Sequence, residues 1–263
     1  MKKRPFFKTL SFILFLIGAL TVIQAQNQPR EYYQLKTYTL ANASQEALMD
    51  SYLKDAYLPA LKRIGIDHVG VFKIHPDAYR LSNMIFVLIP FSTLDEFQSI
   101  DIRLANDKTY NQAGKDYIQA SYDQPPYQRL NTVFMTAFED MPKLHPCKVT
   151  GPREERIYEL RSYESPTEAI FNNKVDMFNA GGEVALFDAL GFNAVFYAEV
   201  IAGDKMPNLM YMTTFANKKS RDAHWKAFGD APEWKALSSM PKYQNNVSHI
   251  DQYFLYPTAY SDY

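Results

Sequence analysis

Cysteine is nearly absent: Cys147 is the only one among 263 residues, so no disulfide can form within the chain and no thiolate-rich metal set can be built. The five histidines, His68, His75, His145, His224 and His249, include no H-x-x-x-H pair, and no metal site is expected. A single axial ligand needs no spacing, which leaves haem open, but the expectation is no cofactor. Charge of one sign is missing too. The 28 Lys and Arg against 29 Asp and Glu give a net charge of -1, with no basic stripe carrying interleaved aromatics. That excludes nucleic acid as a partner, because phosphate neutralisation supplies most of such binding. A Gly-rich phosphate loop, a Gly-x-Ser-x-Gly elbow and a local Cys–His pair are also missing, so nucleophilic catalysis has no motif to stand on.

A run of apolar residues long enough to span a bilayer is lacking as well. The stretch from Phe12 to Ile23 falls short of the ~20 residues that a spanning helix needs. It follows Lys2, Lys3, Arg4 and Lys8 and precedes the small Ala25 and polar Gln26, the layout of a secretory signal. Residues 1–25 are therefore expected to be removed, giving a secreted or periplasmic protein with no stable membrane anchor after cleavage. In such an oxidising compartment Cys147 is expected to be inert or shielded.

What the chain does have is aromatic residues, 19 Tyr and 18 Phe, and a sentence written twice. Tyr33 to Tyr38 reads Tyr-Gln-Leu-Lys-Thr-Tyr, and Tyr158 to Tyr163 reads Tyr-Glu-Leu-Arg-Ser-Tyr. A repeat period near 125 residues lies in the usual size range of one domain. The expected division is a first domain over residues 31–138, a linker rich in proline and charge over 139–155, and a second domain over 156–258.

Each repeat gives the order β-α-β-β-α-β. In the first, strands are expected over Glu31–Leu40, Val69–Ile74, Met84–Phe91 and Arg129–Phe138. A helix starts at an N-cap Ser44, is interrupted at Pro59 and stops at Gly65; a second opens with a Thr93–Glu96 capping box. In the second repeat, strands are expected over Ile157–Tyr163, Asn193–Val200, Leu209–Phe215 and Val247–Tyr256, with helices from Thr167 and Ser220 and a break at Gly181–Gly182. The fold class is α+β, two tandem ferredoxin-like repeats forming a dimeric α+β barrel, because the bare face of each antiparallel sheet must be covered by another. Closure within the chain, as a pseudo-dimer, or between chains, as a homodimer, stays open.

The opening Tyr-Glu-Leu-Arg-Ser-Tyr, the Leu190-Gly191-Phe192 entry to the next strand, and His224-Trp225-Lys226-Ala227-Phe228 followed by Pro232, Glu233, Trp234 and Lys235 resemble the NIPSNAP family, with the first repeat as a divergent copy. The resemblance implies the dimeric α+β barrel group. Mitochondrial members of the family resemble adaptor or signalling proteins, and cousins in the barrel group include cofactor-free monooxygenases and haem enzymes. An exported chain departs from the mitochondrial setting.

Side chains alternate across a strand, so Glu159, Arg161 and Tyr163 share one face. With Tyr158 and Leu160 assigned to the helices, those three are expected to line the barrel interior. There Glu159 or His224 would accept a proton, Arg161 would hold an anionic group and Tyr163 would donate a hydrogen bond. Glu159 and Arg161 could equally form a sheet-face ion pair. Glu199, Tyr211, Trp225 and Trp234 are candidate ligand-binding residues. The function expected is binding of an unidentified small polar or aromatic molecule in the barrel, with cofactor-free chemistry; the alternative is a non-enzymatic interaction module with a packed barrel.

Overall fold

A computed structural model describes residues 29–78, 82–145 and 147–263; the expected signal lies outside them. The first half runs β1 (Tyr32–Thr39), α1 (Ala43–Ser51), a π-helical turn (Tyr52–Tyr57), α2 (Leu58–Arg63), β2 (Gly70–Ile74), β3 (Met84–Phe91), α3 (Leu94–Ala105), α4 (Lys108–Ala113), α5 (Lys115–Ile118) and β4 (Arg129–Ala137). The second runs β5 (Ile157–Glu164), α6 (Glu168–Phe178), α7 (Glu183–Ala189), β6 (Ala194–Ala202), β7 (Asn208–Phe215), α8 (Lys218–Asp230), α9 (Pro232–Ser239) and β8 (His249–Pro257).

Local chemistry sets these boundaries. The first helix is capped by Asn42, whose side chain accepts from the Gln45 amide, and not by Ser44, which lies inside it. Thr93 and Glu96 form the expected reciprocal box: Thr93 Oγ1 accepts from the Glu96 amide at 3.2 Å, and the Glu96 carboxylate accepts from the Ser92 amide. Pro59 has no amide to donate, and the π-helical turn lies just before it. Gly65 ends α2 at φ 83°, a conformation that favours glycine. In the second half Gly182, at φ 85°, separates α6 from α7.

All eight strands join in one closed antiparallel barrel in the order β1-β3-β2-β8-β5-β7-β6-β4. The halves meet twice, through Phe72↔Pro257 to Ile74↔Leu255 on one side and Met135↔Val200 to Ala137↔Ala198 on the other. The barrel is thus closed within a single chain. Its interior is apolar and filled by Tyr33, Leu35, Phe72, Phe86, Tyr158 and Leu160 among others. Separate aromatic-rich layers lie between each half's sheet and its helices. The residues after β8 run back along β2, where the Val69 and Val71 amides donate to Asp262 and Ser261. Tyr263 closes that end of the barrel against Phe72 and Tyr158.

This arrangement corrects the expected facing. Tyr158 and Leu160 point into the barrel, while Glu159, Arg161 and Tyr163 lie beneath the helices; likewise Tyr33 and Leu35 point inward and Tyr38 lies under the first half's helices. The physical reason is supply of partners. The barrel interior around Tyr158 and Leu160 is mostly apolar and offers no cation, whereas α8 offers an arginine and an indole that can satisfy a buried carboxylate.

Candidate functional site

Glu159 is fully buried at the centre of a polar network. Its Oε1 accepts from Arg161 Nε at 2.7 Å, Arg221 Nη2 at 2.8 Å and Gln252 Nε2; its Oε2 accepts from Arg221 Nε at 2.7 Å and Trp225 Nε1 at 2.8 Å. Two elements make this possible. Arg221 and Trp225 stand four residues apart on α8 and so share the face over β5, and Gln252 is directly across from Arg161 on β8. The Arg161 guanidinium lies 3.8 Å from the Trp225 ring centroid, and its Nη1 donates to Tyr163 Oη at 3.0 Å, which is 2.8 Å from Tyr211 Oη.

Burial by itself would raise the Glu159 carboxyl, but the Arg221 and Arg161 guanidinium groups outweigh it and hold the group below the usual carboxylate range. With its oxygens supplied by four side chains, Glu159 acts as a fixed anion that anchors two arginines. It is not poised to take a proton. Nearby, α6 and α7 contribute a second buried ion pair, Lys174 Nζ to Glu183 at 2.9 Å; burial pushes the Glu183 carboxyl up against the opposing pull of Lys174.

The network brings together Glu159, Arg161, Tyr163, Tyr211 and Trp225 of the expected residues. Three others lie elsewhere. Glu199 pairs with Arg30 at 3.1 Å on the outer side of β6. The His224 ring bonds the Ser220 carbonyl through Nδ1 at 2.7 Å and packs on Phe192 and Phe215. Trp234 packs on Phe228, 4.4 Å between centroids. Arg221 and Gln252 escaped the sequence reading; the four-residue spacing of Arg221 and Trp225 was the one available signal.

Two cavities bear on function, and neither is lined by Glu159, Arg161 or Tyr163. The barrel is packed around Tyr33, Phe72 and Tyr158 and opens at one end, where about 180 Å³ is lined by Leu35, Ser162, Asn208 and Met210. The expected ligand chamber inside the barrel shrinks to this mouth. The larger cavity, about 450 Å³, lies outside the barrel between α7, the start of β6 and the chain from Asp140 to Lys148. Met141, Val184 and Ala194 give it an apolar wall; Asp140, Asp188, His145 and Lys148 surround it with polar groups. On its floor is Tyr197, 1% exposed, whose hydroxyl has no hydrogen-bond partner among the described residues. Burial raises that phenol, with Glu183 and Asp188 adding to the effect, so it stays a neutral donor. For metals, the one group of ligands clustered among the described residues is Glu164, His249 and Asp251, and the Lys205 ammonium already sits on Asp251.

Residues 158–262 match the sequence profile of the NIPSNAP family. The match lies in the second half of the chain. No curated protein sequence matches the chain. Among solved structures, the fold is similar to a candidate monooxygenase of Lactobacillus acidophilus (12% identity, 87% of this chain and 94% of the other, TM-score 0.54) and to another of Fusobacterium nucleatum (8% identity, 88% and 94%, TM-score 0.55). A NIPSNAP family protein of Agrobacterium tumefaciens is 19% identical over 40% of this chain and 96% of its own, with a TM-score of 0.36. At these identities the likeness to the two larger structures establishes the α+β barrel fold. The matched residues hold the Glu159 network and the α7 and β6 walls of the larger cavity, whose remaining wall comes from Asp140, Met141, His145 and Lys148 before them.

Proposed function

We propose that this is an exported binding protein that takes up a small molecule, apolar in body and polar at one end, in the cavity floored by Tyr197. The observation that carries the reading is the unpartnered hydroxyl. Leaving a buried donor unsatisfied costs about 1–3 kcal/mol, and a ligand acceptor placed over it removes that cost. The cavity, at about 450 Å³, falls in the range that ligand pockets occupy. Catalysis is not part of the proposal, because Glu159 is occupied by donors and neither it nor His224 lines the cavity. Native mass spectrometry of protein purified without denaturation tests it. A bound small molecule is expected, and Ala185→Trp, which fills the cavity from an exposed helix position, should abolish it. An apo mass in the wild type, or a bound molecule retained by Ala185→Trp, would reject the reading.

The packed barrel favours a second reading, a non-enzymatic module that docks a partner protein, and the apo outcome of the same measurement supports it. Export rests on the basic and apolar layout of residues 1–25. Edman sequencing of the mature protein should start near Gln26, and a start at Met1 would contradict export.

A further inference from the structure

Along β5 the inward row runs Tyr158, Leu160, Ser162, and it turns from apolar to polar at the end where the barrel opens. Asn208 begins β7 on the same inner face, two residues before Met210, which is directly across from Ser162. Both polar side chains are buried, Ser162 at 3% exposure and Asn208 at 2%. Asn208 Nδ2 donates to Ser162 Oγ at 2.8 Å. That leaves Asn208 Oδ1 without a partner among the described residues, and no acceptor among them takes the hydrogen of the Ser162 hydroxyl. The carboxylates of the mouth are engaged within the protein, Asp251 by Lys205 and Asp204 by Asn131 Nδ2 at 3.0 Å. An unused acceptor and an unused donor therefore stand side by side in a cavity of about 180 Å³, with Leu35, Phe86, Leu160 and Met210 as its apolar walls.

We propose that the barrel mouth is a second binding site, separate from the cavity floored by Tyr197, for a one-ring molecule bearing a hydroxyl, the phenol class. A hydroxyl donates to Asn208 Oδ1 and accepts from Ser162 Oγ at once, so one small group satisfies both side chains. Leaving the buried acceptor unpaired is unfavourable, and the ligand's O–H removes that cost. Size sets the rest of the molecule. An apolar cavity of about 150 Å³ takes up benzene, so this one holds a single ring with its hydroxyl. It is too small for the drug-sized ligands whose pockets start at about 300 Å³. Phe86 and Tyr253, 5.2 Å between centroids, and the thioethers of Met84 and Met210 give an aromatic ring favourable contacts.

Methyl NMR of the full-length protein labelled at methionine, titrated with phenol and separately with toluene to its solubility limit, tests the proposal. The two cavities report separately, because Met84 and Met210 line the barrel mouth and Met141 lines the cavity floored by Tyr197. Phenol should shift the Met84 and Met210 methyls saturably. Toluene, which has the same ring and no hydroxyl, should bind there about tenfold more weakly, and Asn208→Leu should erase that preference. In the wild-type protein, phenol shifts at Met141 alone, no saturable shift at Met84 and Met210, or toluene bound there as tightly as phenol would each overturn the proposal, whatever the variant does.

Discussion

The decisive residue is Glu159, a buried carboxylate shared by two guanidinium groups. Glu159→Gln removes the anion, leaving Arg161 without its buried carboxylate and Arg221 with only Asp222. Breaking a buried pair from one side costs about 3–5 kcal/mol, so the urea midpoint should fall by a corresponding amount with the slope unchanged. The folded carboxyl lies below its unfolded value, which is about 4.3. Its contribution is therefore complete above that value and lost as pH falls through the folded one. Wild-type stability should decline in that acid window, and Glu159→Gln should decline less. At this scale the sequence told which residues share a face and nothing about which face it is. Every position of β5 except Arg161 and Glu164 is buried, so polarity could not mark an outside, and the choice depended on Arg221 and Trp225, sixty residues away.

At the scale of elements, the breaks in the first helix of each half were legible because proline and glycine act locally. Their costs differ by mechanism. Gly65 has φ 83° and nothing within 4 Å of a built Cβ, so Gly65→Ala should cost about 1 kcal/mol for the left-handed backbone alone. At Gly181 a Cβ would stand 2.4 Å from the Met177 carbonyl oxygen, and Gly181→Ala should lower the melting temperature by more. Calorimetry of the two variants checks the order. The Asn42 cap was missed because Asn42 and Ser44 are equally good capping types, and only the extended backbone at Asn42 (φ -160°, ψ 173°) decides between them. The capping box was readable because it needs two residues at fixed spacing.

For the whole molecule, the order of elements and the α+β barrel followed from strand and helix periodicity, but closure within the chain did not. It depends on β2 meeting β8 and β4 meeting β6, pairings between distant strands whose register no local pattern encodes. Nor was the cavity floored by Tyr197 legible, since it joins α7 and β6 to the segment 139–155, which composition marked only as a linker. The account of function comes down to that cavity and the buried hydroxyl of Tyr197. Its most direct test is a crystal structure of the protein purified with whatever it carries. The account expects ordered non-protein density in the cavity, with a ligand acceptor within about 3 Å of Tyr197 Oη. A cavity holding only water, with water bonded to that hydroxyl, would contradict it.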